Sequence, residues 1–167
     1  MTTPRRLTET ELAELLPGEW MIGATNFPIW LKGTRLSPSF EYRDRGGSRL
    51  SLQDTVAYRT ELGERKTIVG VDRWKGDGFV WRGTGLLGLV SSRWNVAAAD
   101  DSGDFAVIRF SKSLLTPAGI DVIARSFVEP HELRATVAAD PGRYSLDHEE
   151  FAGLAWLDFA GPAARGQ

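Results

Sequence analysis

The chain has 167 residues, a formal net charge of −2 and an apolar content of 42%. This length favours one domain over 1–167 with a single core. The scattered arginines argue against a nucleic-acid-binding surface, and the lack of cysteine excludes disulfides, thiolate nucleophiles and thiolate zinc sites. No apolar run has the length of a membrane span or the form of a signal peptide, so we expect a cytoplasmic protein with no membrane or nucleic-acid partner.

A short amphipathic helix is predicted over about 8–16. Thr8 and Glu11 have the spacing of a capping box, and three leucines in the following turns form an apolar stripe. Pro17 and Gly18 end the segment.

Between about 19 and 127 the sequence alternates short apolar runs with turn residues. The predicted strands lie near 19–25, 35–43, 50–60, 66–74, 78–83, 89–99, 104–112 and 119–127. The turns between them are too short for helical crossovers, so consecutive strands are expected to pair antiparallel. This pattern predicts an all-β, up-and-down antiparallel barrel of about eight strands, because closure removes exposed strand edges.

A helical cover is predicted over about 129–160. Pro130 suits the first turn of a helix that Asp140, Pro141 and Gly142 would end. Ser145 is the candidate cap of a second helix.

The order of these elements, with Gly18-Glu19-Trp20 opening the first strand, resembles the lipocalin-like, or calycin, barrels. In that family the tryptophan of a G-x-W motif lies across the closed end of the barrel, and an arginine near the end of the last strand packs over the indole ring. The resemblance therefore implies that Trp20 and Arg125 close one end through a cation–π contact. Because the chain has neither a disulfide nor a signal peptide, a bacterial or intracellular relative is expected.

The six tryptophans suggest a pocket with aromatic walls, since such walls recognise flat ligands. The candidate ligand-binding residues are Phe40, Tyr42, Trp81 and Trp94. Strand alternation would put Ala98 on the same face as Trp94, and small residues there and at Gly83 leave room for a ligand. The alternative is that the same rings simply fill the interior.

Asp54 and Tyr58 share a face of the third predicted strand, and Asp72 lies on the fourth. A carboxylate inside the barrel would have a raised pKa and could serve as a general acid or base, with Tyr58 as a hydrogen-bond donor to substrate. These three are the candidate catalytic residues if the protein is an enzyme. The alternative, which we favour because charged residues are rarely buried, places both aspartates on the solvent face.

A further polar set, Arg109, Asp121 and Arg125, lies on the last two predicted strands. Opposite charges on neighbouring strands form an ionic ladder, which we expect on the outer face. The alternative is an inward-facing set, which would be a polar anchor for an acidic ligand.

Two other patterns are weak functional signals. Residues 83–88 spell G-x-G-x-x-G, but a strand follows where a dinucleotide site needs a helix, so we expect a flexible loop at the barrel mouth. His131 and His148 lie in the C-terminal cover, where surface positions are expected and a haem ligand is the alternative. No metal-ligand cluster is visible, and no cofactor is expected.

These observations predict an intracellular protein that holds a small apolar or aromatic molecule. One alternative is a cofactor-free cyclase, isomerase or dehydratase that orients its substrate in the same cavity. Another is a structural barrel with a filled interior.

Overall fold

The computed structural model describes residues 4–113 and 116–159, which form eight long strands, one short strand and four α-helices. The long strands are β1 (Gly18–Thr25), β2 (Leu36–Asp44), β3 (Ser51–Arg59), β4 (Arg65–Trp74), β5 (Phe79–Gly83), β6 (Ser91–Ala99), β7 (Phe105–Phe110) and β8 (Gly119–Ala124). All eight predicted strands are confirmed. The sixth begins later than expected because the 3-10 helix at residues 85–87 continues as a turn, in which Val90 donates a hydrogen bond to the Leu87 carbonyl oxygen.

The eight long strands close into an antiparallel barrel. Each pairs with the next along the chain, and β1 completes the circle by pairing with both β2 and β8. The predicted all-β, up-and-down barrel is therefore confirmed. We call the end at which β1 begins the closed end and the end at which β1 finishes the open end.

The N-terminal helix α1 (Glu9–Leu15) packs at the closed end. Its capping box is formed by Thr8 and Glu11 as predicted, and Leu12 and Leu16 are buried against the barrel interior. A second helix, α2 (Pro28–Leu31), lies in the β1–β2 connection at the open end.

The C-terminal cover packs on the outside of the barrel and differs in two details from the prediction. Helix α3 (Pro130–Ala139) has Pro130 in its first turn, but α4 (His148–Gly153) is capped by Asp147 in place of Ser145. The cover is also not wholly helical, because β9 (Ala155–Trp156) pairs with the end of β1. Residue 160 lies outside the described residues.

Two apolar clusters result. One fills the barrel and reaches α1, and the other lies between the outer face of β1, β7 and β8 and the C-terminal cover. A register shift between Val96 and Ala98 moves Ala98 into the outer cluster. The expectation that Ala98 shares the inner face with Trp94 was therefore wrong, because a bulge interrupts the alternation on which it rested. Within the described residues, no helix is long and apolar enough to cross a membrane.

Candidate ligand-binding site

The closed end is sealed by Trp20 and Arg125. The guanidinium of Arg125 lies 3.6 Å from the centre of the Trp20 ring and donates hydrogen bonds to the carbonyl oxygens of Leu15, Pro17 and Glu19. Burial lowers the pKa of Arg125, so these carbonyl groups and the indole face compensate for lost hydration. Arg125 thereby ties the end of α1 to the start of β1.

An aromatic stack fills the interior above this seal. Tyr42 lies between Phe40 and Trp94, with ring centres 5.9 Å and 5.6 Å away, and Phe79 stacks on the other side of Trp94 at 4.6 Å. All four rings are buried. Three of the four predicted ligand contacts, Phe40, Tyr42 and Trp94, thus come together inside the barrel, and their contact with a ligand remains a prediction.

Trp81, the fourth predicted contact, is partly buried nearer the open end. Its indole lies against the bare backbone of Gly70 on the neighbouring strand, where the methyl group of any larger residue would overlap the ring. Its ring N–H is buried and has no acceptor within the described protein. Trp81 therefore offers a free donor to the interior.

Asp54 and Asp72 also point into the barrel, so our expectation of a solvent-facing position was wrong. Asp54 is 4% exposed and Asp72 is fully buried. The two carboxyl groups hydrogen-bond to each other, and Asp72 accepts a 2.8 Å hydrogen bond from the Trp94 ring nitrogen. The reason lies in the alternation along β3, where Leu52 and Asp54 are buried and the intervening Gln53 is exposed.

Burial disfavours the charged form of both carboxyl groups. It raises the pKa of Asp72 to about 7, against the opposing effect of the hydrogen bonds from Trp94 and Asp54. Burial and then the charge of Asp72 raise the pKa of Asp54 further. Asp54 therefore keeps its proton and donates a hydrogen bond to Asp72. Once Asp72 ionises near neutral pH, the pair shares a single proton.

Asp121 is a third interior carboxyl group, which the sequence placed on the outside. It is 1% exposed, pairs in register with the buried Thr25 and accepts a hydrogen bond from the Thr25 hydroxyl. Burial raises its pKa to about 7 despite this bond. The predicted ladder of Arg109, Asp121 and Arg125 was therefore wrong, because these side chains project to different sides of the wall.

Arg109 instead joins the outer cover. It forms a two-pronged ion pair with Glu150 of α4, at 2.7 Å and 2.8 Å, and also donates to the Ser145 carbonyl oxygen. This bond raises the pKa of Arg109 and lowers that of Glu150. The contact holds α4 against the barrel. It also places the Arg109 guanidinium outside the barrel, where it cannot pair with the interior carboxyl groups.

Tyr58 lies at the open end, away from the aspartate pair. Its ring is 6.1 Å from that of Trp30 in α2, and the Arg35 guanidinium lies 4.9 Å from it. Trp30 also packs against the interior cluster, so α2 covers part of the mouth. Of the three candidate catalytic residues, the structure brings together Asp54 and Asp72.

The remaining sequence signals lie outside the barrel interior. His131 and His148 are exposed on α3 and α4. Within the glycine-rich residues 83–88, Gly83 is buried at the end of β5, and the residues after it form a turn between β5 and β6 at the open end.

Asp121 was expected on the wrong face of its strand, and Gly70 was not among the predicted site residues. The signal for Asp121 was its spacing of two from Ile123, which is fully buried in the interior cluster. For Gly70, the signal was a glycine in the middle of a strand, which often marks the close approach of another group.

Several solved structures have the same architecture as this chain, and three of them show the degree of similarity. Lobster apocrustacyanin A1 has a TM-score of 0.63 at 10% identity, over 94% of this chain and 86% of that one. The cockroach allergen Per a 4 has a TM-score of 0.63 at 12% identity, over 99% and 96% of the two chains. The amine-binding protein of Rhodnius prolixus, solved as its tryptamine complex, has a TM-score of 0.59 at 11% identity, over 93% and 84%.

The chain has a lipocalin-like fold. This agrees with the resemblance carried by Trp20 and the strand order. No protein-family model and no curated protein matches the sequence. At such low identities the lipocalin likeness shows the fold alone, and the interior residues must supply the argument for function.

Proposed function

We propose that the protein binds a small aromatic or apolar molecule that carries a basic nitrogen, inside the barrel. The observation that carries this proposal is the set of buried charged side chains. Among the described residues these are three aspartates, Asp54, Asp72 and Asp121, with no buried lysine, arginine or histidine beside them. One oxygen of each has no hydrogen-bond partner within the described protein.

These three carboxyl groups have no cation beside them among the described residues, so they destabilise the free protein once they ionise, because a buried charge without a counter-ion loses its hydration. In the free protein Asp54 therefore keeps its proton near neutral pH, and the pKa values of Asp72 and Asp121 are such that they lose their protons only as the pH rises through about 7. A ligand with an ammonium group would take the place of those protons. Binding a cation then lowers the carboxyl pKa values and releases protons to the solvent.

The aromatic residues suit the same kind of ligand. Ring faces attract cations and also stack on flat apolar groups. Trp81 adds an unused N–H donor. The tryptamine complex of the lipocalin-like neighbour from Rhodnius prolixus is an example of an aromatic amine bound to a protein of this fold.

Ligand entry in this proposal takes place at the open end. Arg125 and α1 seal the other end, whereas the mouth is covered by α2, a four-residue helix without a side-chain cap. Displacing Trp30 from Tyr58 would uncover part of the mouth. The lower interior is filled by the stacked rings, so the ligand would lie above them.

The test is calorimetric titration with sets of ligands matched in shape. Tryptamine, its alcohol tryptophol and the indole-3-acetate anion form one set, and other aromatic amines with their alcohols form further sets. We expect the amine to bind at least tenfold more tightly than its alcohol, more tightly at pH 8 than at pH 5.5, and with proton release. Equal affinity for amine and alcohol across the sets, or a preference for the anion, would refute the cationic ligand.

Variants locate the site. Asp72→Asn and Asp121→Asn should each weaken amine binding while affecting the alcohol little. Asp77→Asn, at an exposed turn at the closed end, is the matched control and should leave both affinities unchanged.

A second candidate function rests on the Asp54–Asp72 pair. Two carboxyl groups that share a proton in a dry interior can act as general acid and general base on a bound substrate. A cofactor-free isomerase, cyclase or dehydratase would use that chemistry. Mass spectrometry of a cell extract incubated with the protein separates the two functions, since a binder retains a compound unchanged and an enzyme converts one. Asp54→Asn should abolish conversion, and Tyr58→Phe should reduce it if the hydroxyl contacts substrate.

A further inference from the structure

Exposed aliphatic side chains are concentrated at one end of the barrel. Leu62 in the β3–β4 turn is 90% exposed, and Leu86 and Leu89 in the β5–β6 connection are 103% and 95% exposed. The β1–β2, β3–β4 and β5–β6 connections all carry such residues, and all three lie at the open end. We call this set the apolar rim, and its members are Ile29, Leu31, Leu36, Leu62, Leu86, Leu87 and Leu89.

The turn that carries Leu86 is held by a regular set of hydrogen bonds. Leu87 donates to the Thr84 carbonyl oxygen at 3.1 Å, and Gly88 donates to that of Gly85, also at 3.1 Å. Gly85 has a φ of +59°, and Gly83 allows the turn to fold back, since a methyl group there would overlap Leu87. The glycine-rich motif therefore builds a turn that projects leucines into solvent.

Basic residues surround the apolar rim. The open-end segments 26–36, 59–66, 82–92, 110–113 and 116–118 contain seven lysines or arginines and two glutamates. One of those glutamates, Glu64, pairs with Lys66. Because the whole chain has 20 basic and 22 acidic residues, the rest of the molecule has a clear acidic excess.

We propose that the apolar rim docks on the surface of an anionic lipid bilayer. Leucines on separate turns, with basic residues between them, match an interface in which aliphatic tips enter the acyl boundary and cations contact acidic headgroups. The acidic remainder of the molecule is repelled by the same surface, and the molecule therefore docks with its open end facing the bilayer.

Charge also argues against the other occupants of this surface. A second copy docked end to end would place seven basic residues opposite seven more, and like charges at an interface are unfavourable. A protein partner would favour a continuous apolar patch over isolated tips. No membrane partner was expected because no apolar run has the length of a membrane span, and that criterion does not detect leucines brought together from separate turns.

The first test is co-sedimentation with vesicles. Phosphatidylcholine vesicles with 30% phosphatidylserine should bind the protein, and pure phosphatidylcholine vesicles should bind it at least tenfold more weakly. Raising the salt from 0.1 M to 0.5 M should weaken binding, since it screens the headgroup attraction. Absence of binding to the anionic vesicles, or equal binding to both kinds, would overturn the proposal.

Matched variants assign the surface. Leu86→Ser with Leu89→Ser should reduce vesicle binding at least tenfold without changing the melting temperature, because both side chains are solvated. Phe127→Ser is the apolar control, since Phe127 is 71% exposed but lies beyond β8 at the closed end. Arg65→Glu should also weaken binding, whereas Arg134→Glu on the exposed face of α3 should not. If the leucine variant binds as the wild type does, the rim is not the docking surface.

A site-specific probe gives an independent readout. The chain has no cysteine, so Leu86→Cys and Phe127→Cys each carry a polarity-sensitive dye at one position. The dye at position 86 should shift to the blue on anionic vesicles, and the dye at position 127 should not. An unshifted dye at 86, or leucine-dependent dimers in sedimentation velocity without vesicle binding, would instead assign the rim to another role.

Discussion

Replacing Asp121 by asparagine should remove a large part of the pH dependence of stability. Asp121 is buried in the interior, and burial raises its pKa to about 7. An aspartate in the unfolded chain has a pKa of about 3.9. Between about pH 4 and 7 the unfolded chain has lost this proton while the folded protein retains it. Rising pH therefore favours the unfolded state throughout that window.

The magnitude follows from the size of the shift. Three pKa units at about 1.4 kcal/mol each give a loss of about 4 kcal/mol of folding free energy between pH 4 and pH 8 from this group alone. The loss is absent below pH 4, where both states are protonated, and is complete above pH 7 to 8, where both are ionised. Asparagine has nearly the same shape and no charge. Between about pH 4 and pH 8 the Asp121→Asn variant should therefore lose about 4 kcal/mol less folding free energy than the wild type.

Urea unfolding followed by tryptophan fluorescence measures this difference at several pH values between 4 and 8. The variant should be more stable than the wild type at pH 8, and the gap should close as the pH falls to 4. Asp77→Asn, an exposed change, should follow the wild-type curve. If the curves of Asp121→Asn and the wild type run parallel, Asp121 titrates as it does in water, and the argument from burial fails.

Three further changes test the packing. Trp94→Ala removes a buried ring that stacks on two neighbours and donates to Asp72, and should reduce the free energy of unfolding in urea by about 3–5 kcal/mol. Gly70→Ala forces a methyl group into the Trp81 ring, and should lower stability by about 1–3 kcal/mol and change the tryptophan emission. Arg125→Ala removes the cation above Trp20 and its three carbonyl contacts, and should cost about 2–4 kcal/mol of stability.

Each of these has an outcome that would contradict it. A stable Trp94→Ala protein would show that the ring is a pocket wall and not a core residue. Unchanged emission in Gly70→Ala would show that the indole of Trp81 rests elsewhere. Arg134→Ala, on an exposed face of α3, should be neutral, and equal losses at Arg125 and Arg134 would remove the case for a seal.

The strand pattern was predictable because the turns are rich in glycine and aspartate, whereas the runs between them are rich in β-branched and aromatic residues. The cap of α1 at Thr8 and the start of α3 at Pro130 were predictable for the same local reasons. The change of register at Val96 was not, because a bulge depends on pairing with a strand that lies elsewhere in the sequence.

The facing of the aspartates was predictable only in part. Leu52 and Val56 flank Asp54 on its own side of β3, so alternation pointed inward, and the general rarity of buried charges argued the other way. For Asp72 the two faces of β4 are similar in composition, and only the closed barrel decides between them. The polar character of the interior therefore emerges from the structure, whereas the aromatic character was visible in the sequence.

The pairing of β1 has a consequence for how the molecule is made. Its partner β8 lies about a hundred residues further along the chain, and β9 follows still later. During synthesis the first strand is therefore left with one unpaired edge until β8 has left the ribosome, and contacts of such long sequence separation form slowly. The helix α1 and the early hairpins can form as they emerge, but the circle of strands closes only after β8 has emerged.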